Sequence, residues 1–234
     1  MKSTLAICVV FAGCAMVAAS GPQSAALKDV LSRLDQAAKL FHSTSARISW
    51  TKHTEVLNDN STQTGMAYQL KTKTPKGLLC LFEIVTPDKK AYAFEGRTLQ
   101  IYYPNIPEVQ IYDAGEQGQQ LEQFLMLGFG TSGIELERMY EMRIVGPETV
   151  KDEKTIHLAL NPKSGEAKKL VKQVDLWISE RGNYPIQEKV LEPSGDYTLL
   201  VFSDVQNNNP SLKDADLRLK LPDGVKKRYP QKEK

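Results

Sequence analysis

The chain has 234 residues, of which 41% are hydrophobic and 25% are charged. This composition is ordinary for a globular protein, and it excludes fibrous and low-complexity chains. The formal net charge is +2 at pH 7, so nothing in the charge calls for a nucleic-acid partner. The length suits one large domain or two small ones, and no linker-like segment divides the chain. Basic residues concentrate at 226–228, 232 and 234, which predicts a solvated tail or weak docking to an anionic surface.

Residues 1–20 are predicted to be a secretory signal peptide that is removed from the mature protein. Lys2 supplies a minimal positive region, and the apolar run at 5–17 is too short to cross a bilayer. Small residues at 17–20 predict cleavage near residue 20, which leaves a single exported domain over residues 21–234. A second interpretation stays open, because the Phe-Ala-Gly-Cys segment that ends at Cys14 is similar to a bacterial lipobox. Cys14 would then be acylated and would anchor the protein to a membrane.

The first predicted element of the mature chain is an amphipathic helix over residues 24–42. Its apolar residues recur with the i, i+3, i+4, i+7 spacing of one helix face. They are Leu27, Val30, Leu31, Leu34, Ala38 and Phe41. A helix of this kind needs an apolar surface to cover.

Six strands are predicted next, from alternating or apolar runs that short turns separate. They cover residues 45–56, 64–73, 78–85, 91–95, 97–103 and 108–112. The strand at 78–85 is apolar on both faces, which predicts that both of its faces are covered. It contains Cys80, the only cysteine outside the leader, which we interpret as a small buried hydrophobic residue and not as a nucleophile.

The strand pattern stops at residues 116–139, where a second, glycine-jointed helix is predicted. Phe124, Leu125 and Phe129 contribute to an apolar surface that Gly130 and Gly133 interrupt. Glycine weakens a helix by about 1 kcal/mol relative to alanine. Two interpretations stay open for this segment, a packed core helix and a movable cover over a cavity.

Five more strands are predicted at residues 141–150, 154–160, 171–179, 185–192 and 197–205, which brings the total to about eleven. The short connections between them predict antiparallel neighbours, and an antiparallel sheet of this size tends to curl. The predicted fold is therefore mainly β with helices (α+β). It is an open, curled antiparallel half-barrel whose concave apolar face is covered by the helices at 24–42 and 116–139.

Catalytic chemistry is not indicated by any motif in the sequence. The GxSxG, Walker A and GxGxxG patterns are absent. His42, His53 and His157 do not have the spacing of metal ligands, so we interpret them as surface or hydrogen-bonded residues. The sequence thus predicts a protein that is not an enzyme, with no catalytic residue, no metal and no cofactor.

Aromatic and aliphatic residues are the remaining candidates for a functional site. An apolar hollow with few polar groups suits an alkyl chain, because burying each methylene group contributes about 0.8 kcal/mol. The residues predicted to line it for acyl chains are Leu34, Trp50, Tyr68, Phe82, Phe94, Phe124, Leu125 and Phe129.

The order and spacing of several short motifs resemble the LolA family of periplasmic outer-membrane lipoprotein carriers. The likeness covers residues 27–225, and it rests on residues 31–35 and 41–43, Gly65, Thr74-Pro75, residues 95–99 and 102–104, residues 202–208 and the Leu-Pro-Asp-Gly-Val of 221–225. The resemblance implies an eleven-stranded half-barrel with a helical lid. It also implies a monomeric carrier without nucleic acid among its partners.

The resemblance further implies a route for the cargo. Family members accept acylated lipoproteins from an inner-membrane ABC-type releasing complex and pass them to an outer-membrane acceptor lipoprotein, without hydrolysing ATP themselves. Two alternatives stay open for this chain. One is an acceptor or lipid sensor of the same fold that is anchored to the outer membrane, and the other is a carrier of another lipid.

The sequence departs from the family at two places. Thr74 stands where studied members have the arginine that helps to hold the lid closed, and Cys80 with Phe82 replaces an aromatic pair. We therefore expect closure of the lid and the choice of cargo to differ.

Overall fold

The computed structural model describes residues 22–72, 77–113, 127 and 129–232. These residues form three helices, namely α1 (Pro22–Leu40), α2 (Gly133–Met139) and α3 (Gly165–Leu170). They also form twelve strands, which are β1 (Ser43–Thr54), β2 (Asp59–Lys71), β3 (Leu78–Thr86), β4 (Lys90–Glu95), β5 (Thr98–Tyr103), β6 (Glu108–Asp113), β7 (Tyr140–Val150), β8 (Glu153–Pro162), β9 (Gln173–Ser179), β10 (Pro185–Leu191), β11 (Tyr197–Asn207) and β12 (Lys226–Arg228). None of the described helices combines the length and apolar character needed to cross a bilayer.

All twelve strands belong to one sheet, in the order β12-β6-β5-β4-β3-β2-β1-β11-β10-β9-β8-β7. Neighbouring strands are antiparallel except β12, which pairs in parallel with β6. The two outer strands do not pair with each other, so the sheet stays open. The predicted fold class, an open antiparallel half-barrel of the α+β class, is confirmed.

Pairing between β1 and β11 joins two meanders into this sheet. Strands β1–β6 follow one another on one side, and β7–β11 follow one another on the other side. Ile48 pairs with Phe202, and Trp50 pairs with Leu200. Because directly opposed residues share a face of the sheet, this register places apolar side chains of both meanders on the same side.

Three elements differ from the sequence-based expectation. Helix α2 begins only at Gly133, and residues 129–132, which belong to the predicted helix at 116–139, are not helical. Residues Lys226–Arg228 form β12 beside β6, whereas a solvated tail was predicted. The pairing uses backbone groups, which a sequence pattern does not reveal when all three side chains are basic. Helix α3 was not predicted; it begins after Ser164, whose hydroxyl accepts a hydrogen bond from the Ala167 N–H. A helix of six residues is too short to show helical periodicity.

Helices α1 and α2 cover β7–β10 and bury the first apolar cluster, which we call the helix-covered cluster. Its buried members are Val30, Leu31, Leu34, Leu127, Leu136, Tyr140, Leu158, Leu160, Val171, Val174, Leu176 and Ile178. The two helices approach closely at Gly133, where a Cβ atom would lie 2.6 Å from the carbonyl oxygen of Leu31. Glycine at this position therefore allows α2 to pack directly against α1.

Strand β3 is covered on both faces, as its sequence predicted. Cys80 and Phe82 face the same side as the β1 residues Ala46 and Ile48. Leu79, Leu81 and Ala93 face the opposite side, where Leu217 of the C-terminal segment packs on them. The C-terminal segment thus covers the outer face of this part of the sheet.

The outer face of β7–β9 carries a hydrogen-bonded polar network around His157. Its two ring nitrogens lie 2.7 Å from Glu148 and 3.0 Å from Asp175. The Trp177 indole N–H donates to Glu148 across 2.6 Å, and the Trp177 ring stacks on His157. Hydrogen bonds from Trp177 and His157 lower the pKa of Glu148. His157 is thus a hydrogen-bonded histidine, as predicted, and within the described parts of the chain no group of three His, Cys, Asp or Glu side chains is arranged to hold a metal ion.

The carboxyl group of Glu188 lies on the inner, helix-covered face. Glu188 in β10 pairs with Leu176 of β9 and Leu200 of β11, and it is 4% exposed. Loss of solvent raises its pKa from 4.5 to about 8. Burial also raises the pKa of the neighbouring Tyr140 to about 12, so this phenol stays neutral throughout the range in which Glu188 titrates.

Truncating Leu136 in α2 tests the contribution of the helical cover to stability. Leu136 is fully buried and Ile134 on the same helix is 70% exposed, so Ile134→Ala is the matched control. We expect Leu136→Ala to lower the free energy of unfolding by about 2–5 kcal/mol, and Ile134→Ala to change it by about 0.5 kcal/mol or less. Urea denaturation followed by circular dichroism measures both. Equal effects would contradict the packing of α2 against α1 and the sheet.

Replacing Glu188 with glutamine tests its burial through the pH dependence of stability. Between pH 4.5 and about 8 the unfolded chain ionises this carboxyl while the folded chain keeps it neutral, so wild-type stability falls as pH rises. We expect the free energy of unfolding of Glu188→Gln to rise relative to that of the wild type by up to about 1.4 kcal/mol per pH unit in this window. Above the window the difference should stay constant. Urea unfolding from pH 4 to 9 measures the difference. A difference that does not change with pH would show that the carboxyl reaches water.

Candidate functional site

A continuous aromatic surface lies on the inner face of the sheet, next to the helix-covered cluster. We call it the aromatic face. Its buried members are Phe41, Ala46, Ile48, Ala67, Leu78, Cys80, Phe82, Ile84, Phe94, Phe129 and Phe202, with Tyr92, Leu99, Tyr184, Leu200 and Val205 packed against them. They come from β1–β5, from β11 and from two segments that cover the sheet. The surface therefore depends on both meanders and their cover.

Trp50 lies at the accessible part of this face. Its ring centroid is 6.1 Å from that of Phe82, in an edge-on arrangement, and 5.6 Å from that of Tyr92. Trp50 and Tyr92 are half-buried, whereas Phe82 is buried. Such aromatic pairs contribute about 0.5–1.5 kcal/mol beyond the area they bury. The three rings form an apolar wall that is partly open to solvent.

Phe41 and Phe129 close the other part of the aromatic face. The Phe129 ring lies 5.1 Å from Phe202, edge-on, and 6.1 Å from Tyr184, stacked. Phe41 follows α1 and lies against Gly130, where a Cβ atom would be 2.5 Å from the Phe41 ring. Gly130 also has a φ of +76°, a conformation that favours glycine. The chain beside Phe129 thus folds closely over the end of α1.

The structure brings together Trp50, Phe82, Phe94 and Phe129 among the predicted lining residues. Leu34 lies on the same side of the sheet, but in the helix-covered cluster. Phe124 and Leu125 lie outside the described residues, as do Thr74, Cys14 and the leader at 1–20.

Tyr68 is not part of the aromatic face, contrary to its place in the predicted lining. It lies on the opposite face of the sheet and packs against the cluster of Leu79, Leu81 and Leu217. In β2 the inward residue is its neighbour Ala67, which is opposed to Ala46 and Phe82. Because side chains alternate along a strand, Ala67 and Tyr68 cannot share a face.

Several residues of the site were missed by sequence reasoning. Phe41, Tyr92, Tyr184, Leu200 and Phe202 contribute to the face, and a plain aromatic or aliphatic strand residue carries no signal that separates it from ordinary core. Glu188 did leave a signal. Glu188 and Val190 occupy alternating positions of β10 that face inward, so a charged residue lies at an inward position of the strand.

The polar residues near Trp50 lie in the same row across the sheet. Trp50 is opposed to Gln63 of β2 on one side and to Leu200 of β11 on the other, and Leu200 is opposed to Glu188. The side-chain oxygen of Gln63 is buried and forms no hydrogen bond. Strands are spaced about 4.8 Å apart, which puts the backbones at Trp50 and Glu188 about 10 Å apart. The row therefore links the aromatic face to the buried acid Glu188.

Comparisons with known proteins place the chain in a family and match its fold. Two solved structures match at low identity. MucB is 17% identical with a TM-score of 0.52, and the match covers 85% of this chain and 64% of that one. An uncharacterized conserved protein from Thermus thermophilus is 12% identical with a TM-score of 0.51, covering 87% of this chain and 99% of that one. These likenesses concern the fold alone, and the chain spans less than two thirds of the length of MucB. No curated protein sequence matches the chain.

A family model described as "Outer membrane lipoprotein carrier protein LolA" matches residues 53–215. The matched region runs from the end of β1 to the C-terminal segment, and so includes β2–β11 and α2, whereas α1 precedes it. The sequence resemblance is thereby confirmed: the chain belongs to the LolA family.

Proposed function

We propose that this protein is a periplasmic carrier that binds the acyl chains of lipoproteins on its aromatic face and shuttles them from the inner to the outer membrane. The observation that carries this proposal is the continuous apolar surface from Trp50 to Phe129 on the inner side of an open sheet. A carrier-type fold and membership of the LolA family support it. The proposal involves no catalytic step.

The chemistry of the aromatic face suits a saturated hydrocarbon chain. Apolar burial has no directional requirement and grows with the area removed from water. Burying ten methylene groups contributes about 8 kcal/mol before the costs of ordering the ligand and the protein. Binding by shape and area, with few polar contacts, tolerates different cargo proteins because their acyl chains are the common feature.

Loading requires part of the aromatic face to be uncovered. Phe94 and Phe129 are each 3% exposed, so the described residues pack against one another and hide this surface from water. Phe129 is held by ring contacts with Tyr184 and Phe202. An entering acyl chain would replace these contacts with contacts of the same apolar kind. We therefore propose that Phe129 and Phe41 move aside on loading and return on release.

The partners in this proposal follow from the family. They are acylated lipoproteins as cargo, an inner-membrane ABC-type complex that releases them, and an outer-membrane lipoprotein that accepts them. The predicted leader at residues 1–20 would direct the chain to the periplasm, where it would act as a monomer.

A second candidate is an anchored acceptor or sensor of the same fold, which the lipobox-like segment ending at Cys14 favours. Mass spectrometry of the mature N-terminus in cells separates the two. A free N-terminus near residue 20 or 21 supports the carrier, and a diacylated Cys14 contradicts it.

Tryptophan emission tests acyl binding, because the chain contains two tryptophans and they lie on opposite faces of the sheet. Trp50 is on the aromatic face, and Trp177 is in the polar network of the outer face. We expect titration with a palmitoylated peptide to shift the emission to shorter wavelength in wild type and in Trp177→Phe, because the acyl chain removes water from Trp50. The response should be lost in Trp50→Phe, and the same peptide without its acyl group should give none.

Replacing Tyr68 provides a matched control for the aromatic face. Tyr68 is half-buried like Trp50 but lies on the opposite side of the sheet. We expect Trp50→Ala to weaken binding of the palmitoylated peptide, measured by displacement of a fluorescent fatty acid, by about tenfold or more. Tyr68→Ala should leave it unchanged. Loss of binding in Tyr68→Ala with full binding in Trp50→Ala would show that the site lies on the outer face of the sheet, and it would contradict the proposal.

A further inference from the structure

A buried acid in an apolar interior is the feature that the proposed function does not explain. Glu188 faces inward from β10, between Leu176 of β9 and Leu200 of β11. Val190, which pairs with Val174 of β9, follows it on the same face of the strand. Three aliphatic neighbours, Leu176, Leu200 and Val190, therefore flank the side chain within the sheet, and α1 covers the cluster to which Leu176 belongs.

The carboxyl group has no protein partner in the described parts of the chain. Its pKa is raised by loss of solvent alone, without a hydrogen bond or a neighbouring charge that lowers it. The titratable group that faces it is the phenol of Tyr140, whose own pKa is raised by burial and by Glu188. The adjacent Lys189 points to the other face, where its ammonium group lies 4.2 Å from the Tyr197 ring centroid. No cation is thus placed to neutralise this carboxyl from its own strand.

An acid in this position is unfavourable for the empty protein. A buried polar group without a partner costs free energy, and an apolar residue of similar size avoids that cost. Polar residues at core positions of this kind commonly serve function. Because burial keeps Glu188 protonated near neutral pH, its O–H is a hydrogen-bond donor that has no acceptor among the described residues.

We propose that Glu188 is a polar anchor beside the aromatic face, and that it donates a hydrogen bond to an ester carbonyl of a bound acyl lipid. This inference rests on the proposed function and adds the group that the protein recognises. An ester carbonyl is a neutral acceptor attached directly to hydrocarbon, which matches a donor placed among aliphatic side chains. Glu188 lies in the same row as Trp50, two strands away. A chain that starts from a carbonyl at Glu188 can cross β11 and β1 and reach the aromatic wall.

A pair of lipids that differ only in their carbonyls tests this anchor. Dioctanoylglycerol carries two ester carbonyls, and dioctylglycerol has ether oxygens in their place. The mature protein is titrated with each lipid in displacement of a fluorescent fatty acid. We expect the wild type to bind the diester about five- to tenfold more tightly, which is the scale of one well-made hydrogen bond.

Three variants assign the preference to the Glu188 donor. Glu188→Gln keeps an N–H donor and should retain the preference for the diester. Glu188→Leu removes the donor and should bind both lipids with the wild-type affinity for the diether, and Glu188→Met is the second apolar variant if Glu188→Leu folds poorly. Gln187→Leu is the matched control, because Gln187 is the half-buried neighbour on the opposite face, and it should behave as the wild type.

The outcomes separate this inference from the proposed function. If both lipids bind the wild type equally, or if the apolar variants keep the preference, the anchor is wrong and acyl binding stands. If neither lipid and no palmitoylated peptide binds the wild type, the proposed function fails. If dodecylamine binds more tightly than the diether lipid and Glu188→Gln abolishes that advantage, the site recognises a cation and the carbonyl assignment is overturned.

Discussion

Pairing between β1 and β11 is the constraint on which the rest of this protein depends. The strands come from opposite ends of the described chain, and their register sets Ile48 against Phe202 and Trp50 against Leu200. Since successive side chains point to opposite faces, a shift of one residue would turn one of these apolar sets toward the other face. The pairing therefore creates the inner surface as well as holding the two meanders together. The aromatic face is continuous only when β1 and β11 pair in this register.

The aromatic part of the inner face is covered by short segments that contact it through Phe41 and Phe129, beside glycines. Gly133 allows α2 to approach α1, and Gly130 lies against the ring of Phe41. Close packing of this kind buries apolar surface with only a few residues. A cover built from a few rings and glycine contacts is compatible with opening for a ligand of the same apolar character. A cover tied down by a polar network would lose hydrogen bonds when it opened.

Polar groups are divided between the two faces of the sheet in a way that suits a binding protein. On the outer face, His157 is satisfied by Glu148 and Asp175, and the indole of Trp177 completes the network. On the inner face, Glu188 has an elevated pKa and no such partners among the described residues. The first arrangement stabilises the sheet. The second weakens the empty protein and leaves a hydrogen-bond donor on the inner face, which is the combination expected of a group kept for a ligand.

Much of this fold was determined by local sequence patterns. The i, i+3, i+4 spacing predicted α1, and period-two alternation predicted eleven of the strands, because burial of one face leaves those periods in the sequence. The apolar run at 78–85 likewise predicted that β3 is covered on both faces. The basic strand β12 and the six-residue helix α3 have no apolar period, so the sequence pattern did not predict them.

The candidate site depended on long-range pairing that no local pattern contains. Trp50, Phe82, Phe94 and Phe129 were predicted as lining, yet their meeting with Phe202 follows from the β1–β11 register. Tyr68 was misplaced, because the sequence shows that Ala67 and Tyr68 face opposite ways without showing which face is inside. The sequence by itself determined periods, turns and family. Only the tertiary structure decided which alternating set faces inward and that Glu188 is buried with it, because burial is set by residues distant along the chain.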